Sequence, residues 1–81
     1  MHYVYLLKSE IFSDQIYVGY TANLKKRIEV HNSGGSLHTA KYKPWKIHAY
    51  FAFKTEKLAM KFEKYLKSHS GRAFANKHFW K

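Results

Sequence analysis

The sequence has no cysteine, and its 81 positions hold only one proline, four glycines and five acidic residues. Without thiols, neither a disulfide framework nor a thiolate metal site can staple the chain or supply its chemistry, and a reducing, intracellular setting is the natural expectation. No linker, internal repeat or low-complexity segment is visible. Long hydrophobic runs are also missing. The N-terminal MHYVYLLKSE is broken at Lys8 and Glu10, too early for a signal peptide, and nothing approaches the roughly 18 apolar residues of a membrane span. A soluble, cytoplasmic protein with no membrane partner is expected. The shortage of acids says most, because fifteen Lys and Arg against five carboxylates leave a net charge of +10 with histidine neutral. Such an excess attracts polyanions, and nucleic acid is the commonest of these in a cytoplasm.

Residues 1–81 make one domain. A core this small buries only about 60% of the unfolded chain's surface, and an aromatic content of 19% compensates, since each buried ring removes a large apolar area from water. Residues 2–8 (HYVYLLK) read as a strand, with Val4 and Leu6 toward a core, Tyr3 and Tyr5 on the opposite surface, and Leu7 implying that this side is partly covered too. A turn at Asp14 leads to a second strand, residues 16–20, in an antiparallel hairpin that puts Tyr17 on the face of Tyr5. Gly19 leaves room for a backbone or ligand to come close.

Thr21, or Asn23 if the helix starts later, caps LKKRIEVHN, which ends at Gly34-Gly35. Leu24 and Ile28 form its buried stripe; Arg27 and His31, four apart, share another face. GGSLHTAKYK is a loop, basic through His38, Lys41 and Lys43. Pro44 leads into a third strand, KIHAYFAF, where Ile47, Ala49, Phe51 and Phe53 alternate with His48, Tyr50 and Ala52. Thr55 caps a second helix over residues 56–70, stopped by Gly71, with Leu58, Ala59, Phe62, Tyr65 and Leu66 as its apolar stripe and Glu63 half buried at the stripe's edge. RAFANKHFWK makes a short last helix that packs Phe74 and Phe79 or Trp80 on the domain. The order is β-β-α-β-α-α, an α+β fold with a three-stranded antiparallel sheet covered by helices.

Tyr5, Tyr17, Arg27, His31 and Glu63 are the residues with chemistry to bring together. Phosphodiester hydrolysis needs an activated water, a counter-charge for the phosphorane, a Lewis acid and a proton source for the leaving group. A carboxylate can hold one Mg²⁺ or Mn²⁺, an arginine can fork onto the phosphate, and tyrosine and histidine can handle protons. Glu10 and Asp14 lie at a turn, Glu29 on a lysine-rich helix and Glu56 in a helix's first turn, so only Glu63 is placed to reach an interior site. Singly, each residue has a plainer explanation: strand tyrosines that pack, a solvated arginine, a histidine favoured by the helix dipole, and a Glu63–Lys67 pair at i,i+4. Their joint arrangement outweighs these.

Tyr3-Val4-Tyr5 and Tyr17-Val18-Gly19, followed by Arg27, His31 and Glu63, resemble the GIY-YIG nucleases, in particular small stand-alone, UPF0213-like members related to the N-terminal domain of the excinuclease C subunit. Tyr3 stands where the family has its first glycine, and Asn76 is the candidate for its late asparagine. The resemblance implies a β-β-α-β-α-α domain that hydrolyses one DNA strand with a single divalent metal on Glu63. Tyr17 would act as or assist the general base, while Tyr5, Arg27 and His31 orient water and phosphate. Lys41 and His38 are candidates for phosphate contact. A metal-dependent DNA endonuclease is therefore expected, acting on branched or damaged DNA or directed by a protein partner. A non-catalytic nucleic-acid-binding module, with Tyr42, Trp45 and Trp80 stacking on bases, is the alternative; a structural partner domain whose charge only solubilises it is a third.

Overall fold

The computed structural model describes residues 1–80; Lys81, the last residue of the predicted terminal segment, lies outside the described residues. The element order matches expectation: β1 (His2–Ser9), β2 (Ile16–Thr21), α1 (Leu24–Asn32), β3 (Trp45–Phe53), α2 (Glu56–Lys67) and α3 (His69–His78), with a turn of 3₁₀ helix at Ala40–Tyr42. The three strands form one antiparallel sheet in the order β2-β1-β3. β1 is therefore central, and β2 is a free edge.

The sheet is covered on both faces. Val4 and Leu6 pack under Ala59 and Leu66 of α2 and Ala75 of α3, with Phe51, Phe53, Phe62, Phe79 and Trp80 around them. On the other face Tyr5, Leu7 and Trp45 form a second core under Leu24 and Ile28 of α1. The side predicted to be partly covered is thus a full core, with Tyr5 at 1% exposure and Leu7 at 0%. Burying a side chain of that size contributes about 1.5–3 kcal/mol.

β3 begins at Trp45 and departs from simple alternation. Leu6 pairs with Ala49 but Leu7 pairs with Ile47, so His48 is an extra residue, a β-bulge. Ala49, Phe51 and Phe53 share one face as the alternation predicted and pack toward α2 and α3, whereas Ile47, expected with them, and Trp45 turn to the α1 side. Asn23, not Thr21, caps α1, its Oδ1 accepting from Lys26 N at 3.1 Å; Thr21 is the last residue of β2. Gly34 lies just beyond the helix at φ +83°, a conformation glycine adopts without strain.

α2 ends at Lys67, earlier than predicted, and its stripe is narrower: Ala59 and Leu66 are buried, but Leu58 is 51% and Tyr65 41% exposed. Ser68 ends α2 and caps α3 by accepting from Gly71 N. Gly71 is therefore inside α3 rather than a stop signal. A Cβ there would stand 1.7 Å from the Tyr65 carbonyl oxygen, so glycine is what lets the two helices meet at so tight a corner. Phe79 and Trp80 pack on the core, and Phe74 stays largely at the surface. Among the described residues no helix is long and apolar enough to cross a membrane.

Candidate active site

Tyr5 is the pivot. It pairs with Gly19 on β2, and a Cβ on Gly19 would come within 2.3 Å of the Tyr5 hydroxyl. The space predicted for a backbone or ligand is filled by the Tyr5 ring, which lies across the edge strand. Tyr17 flanks it, ring centroids 6.2 Å apart, and lies 5.0 Å from the His31 ring.

His31, predicted on a face beside the α1 stripe, is fully buried. Its Nε2 is 2.9 Å from the Tyr5 hydroxyl and its Nδ1 is 2.8 Å from Thr39 Oγ1. Thr39 Oγ1 also lies 3.4 Å from the Ser36 carbonyl; a ring proton on Nδ1 would satisfy all three contacts, with Thr39 donating to that carbonyl and Tyr5 donating to Nε2. The Trp45 indole N–H holds Thr39 in turn, donating to its carbonyl at 2.9 Å. Burial, with the Arg27 charge adding to it, holds His31 below its usual pKa and so favours the neutral ring.

The Arg27 guanidinium lies against the Tyr5 hydroxyl and close to that of Tyr17; the Tyr5 contact chiefly raises its already high pKa, and it carries its charge at any pH at which the chain is folded. Burial pushes the Tyr5 phenol up; Arg27 pulls the other way, and the charges of Tyr17 and Glu63 add to the rise. Arg27 and Tyr17 are partly exposed, whereas Tyr5 and His31 are not. The two buried groups therefore form a backing that positions the two reachable ones.

Glu63 comes from α2, on the face of the sheet opposite α1, where it shares a surface with Lys57, Lys61, Lys64 and Lys67; its charge is the last of the effects that raise the Tyr5 pKa. Tyr5, Tyr17, Arg27 and His31 gather on the α1 side, and Glu63 stands on the other. The carboxylate is 18% exposed and paired with Lys67 Nζ at 3.1 Å, so the plain ion pair foreseen at i,i+4 does form. Among the described residues no three His, Asp or Glu side chains gather as a metal-binding group. A hard divalent cation sharing one carboxylate with substrate oxygens and waters suits that donor set.

Asn76 lines a groove that also contains Tyr17. His38 is exposed in its loop, and Lys41 is exposed with its ammonium 5.6 Å from the Tyr42 ring centre. Neither is among the hydrogen-bonded members of the cluster. Trp45 is 4% exposed and so cannot stack on a base. Thr39, which orients His31, carried no signal in the sequence, because a threonine in an aperiodic loop resembles any solvated turn residue.

The profile described as the GIY-YIG catalytic domain matches residues 1–78. A UPF0213 protein of Bacillus licheniformis is 39% identical over 70 residues, 85% of this chain and 70% of that protein. Another, from Clostridium perfringens, is 38% identical over 68 residues, 83% of this chain and 71% of its own length. The solution NMR structure of a UPF0213 protein from Bacillus halodurans superposes with a TM-score of 0.55 at 32% identity, covering 94% of this chain and 82% of that one. The two tyrosine motifs on paired strands, Arg27 and His31 one turn apart on α1 and Glu63 on α2 thus sit within the residues that the profile matches, and the chain belongs to the GIY-YIG family.

Proposed function

We propose that the protein is a DNA endonuclease that hydrolyses a phosphodiester with one divalent metal, Mg²⁺ or Mn²⁺. The observation that supports it best is the gathering of Arg27 and Tyr17 about the buried Tyr5–His31–Thr39 chain, with the charge of Glu63 acting on Tyr5 from α2. Glu63 would hold the ion, which supplies Lewis acidity to the phosphate and lowers the pKa of a bound water. Arg27 forks onto the phosphate and stabilises the charge of the phosphorane. Tyr17 orients the attacking water and acts as, or assists, the general base. Tyr5 and His31 are positioning residues: they hold Arg27 and Tyr17 and touch no substrate.

The test is nicking of single-stranded, duplex, branched and damaged DNA with Mg²⁺ or Mn²⁺. Glu63→Gln should lower the rate on the order of 10³-fold, and Tyr17→Phe by about 100-fold or more. Cleavage at native rates by both variants would sink the assignment. The choice among these DNA structures is read from the same panel, and a target-finding protein partner would show as stimulation on one of them. The non-catalytic alternative loses one of its stacking rings with Trp45 buried; binding without cleavage of any substrate would restore it.

A further inference from the structure

Between the β2 edge and the corner of α2 and α3 runs a groove of about 400 Å³ whose wall is shared with the candidate site through Tyr17. Its floor is apolar, set by Leu66 and Ala75, which are 2% and 3% exposed. Lys67, Arg72, Asn76 and Trp80 also line it, and none of its nine lining residues is acidic. The Trp80 ring is stacked on the His48 ring at 4.8 Å with 19° between planes, and its backbone N–H donates to the Ala75 carbonyl at 3.0 Å. The groove of about 680 Å³ on the other side of the sheet, beside α1, includes both Lys25 and Glu29 and has no such charge bias.

We propose that the Tyr17–Trp80 groove is a nucleotide subsite, seating one base and one phosphate of the DNA strand next to the phosphodiester that is cut. This rests on the nuclease reading for the word "cut", but the groove's chemistry stands apart from it. A nucleotide has an anionic group, a flat π-face and a polar edge. Here Arg72, and Lys67 on release from Glu63, answer the phosphate, the side of the half-buried Trp80 indole that His48 does not cover offers a stacking surface, and the Asn76 amide presents both a donor and an acceptor to a base edge. The volume lies at the low end of the range of about 300–1,000 Å³ found for ligand pockets, room for one nucleotide unit of a strand and not for a duplex. A subsite of this kind favours single-stranded or frayed DNA at that position.

The experiment measures anisotropy of a labelled single-stranded oligodeoxynucleotide, and of the same length of abasic strand, with the native chain in EDTA so that nothing is cut. The base-bearing strand should bind about tenfold more tightly than the abasic one. Trp80→Leu should erase that difference, and Trp80→Phe, which keeps an aromatic face and controls for folding, should restore most of it. Arg72→Gln should weaken both strands several-fold, whereas Lys57→Gln, the same charge change on the exposed side of α2, should not exceed about twofold. Equal binding of the two strands by native protein, or Arg72→Gln and Lys57→Gln behaving alike, would overturn the subsite. Nicking assays separate the two ideas. Base preference without nicking leaves the groove standing and removes the nuclease, and Glu63-dependent nicking without base preference does the reverse.

Discussion

At the scale of single residues, the site depends on what one glycine leaves out. Gly19→Ala places a methyl 2.3 Å from the Tyr5 hydroxyl, so the ring must swing and give up His31. An overpacking cost of about 1–3 kcal/mol is expected, read as a lower urea midpoint, together with loss of nicking. His31 carries a pH signature. Burial and Arg27 lower its pKa, so in mild acid the unfolded chain binds a proton that the folded chain refuses. The stability this group contributes is complete above the unfolded value of about 6.5 and is lost as pH falls through the lowered folded value. Urea midpoints taken downward from neutral pH should fall in the native chain and fall less in His31→Gln. The motif residues were legible because tyrosine, arginine and glutamate declare their chemistry by type and spacing. The depth of His31 was not, since a helical wheel gives a direction and not what a distant loop lays over it. Thr39 does that covering from eight residues away.

At the scale of elements, the sequence located the three strands and three α-helices but read the 3₁₀ turn at Ala40–Tyr42 as loop, and the other misreadings fall where two elements touch. Gly71 reads as a terminator because glycine commonly ends helices; here it opens the α2–α3 corner. Gly71→Ala is expected to cost about 3 kcal/mol or more by forcing backbone apart, seen as a drop in melting temperature. Phe79 and Trp80, which pack from beyond that corner, should then become more accessible to a fluorescence quencher. The narrow stripe of α2 has the same origin. Contact with the sheet and with α3 decides which of its apolar residues are covered, so Leu58 and Tyr65 fit the period and remain outside. Glu63 is half buried as expected at the stripe's edge, because that position depends on the helix, but it shares its surface with Lys57, Lys61 and Lys64. Which side of the sheet it occupies depends on topology, which periodicity does not encode.

At the scale of the molecule, a charge of +10 bears on association more than on the fold. Lys67 and Arg72 flank the groove, and Lys61 and Lys64 continue along the open side of α2. A single strand engaging two to four of them should show log K falling with log salt at a slope of about −1.5 to −3. A slope near zero in anisotropy titrations would mean that the charge serves solubility alone. Composition made this partner class legible, whereas the groove needed coordinates, because its walls come from β2, α2 and α3. His48, on the strand farthest from the β2 edge, shows how far the site's dependence extends. It is the uncounted residue of β3, and it changes odd to even along the strand. On one side of it Ala49, Phe51 and Phe53 serve the α2 core; on the other, Trp45 serves Thr39 and, through it, the proton position on His31. The partner of the buried histidine thus depends on a miscount: paired in unbroken alternation, the same residues would carry Trp45 to the α2 side and leave Thr39 without its indole, whereas a chain shortened by His48 alone would form a regular ladder and keep Trp45 opposite Ser9.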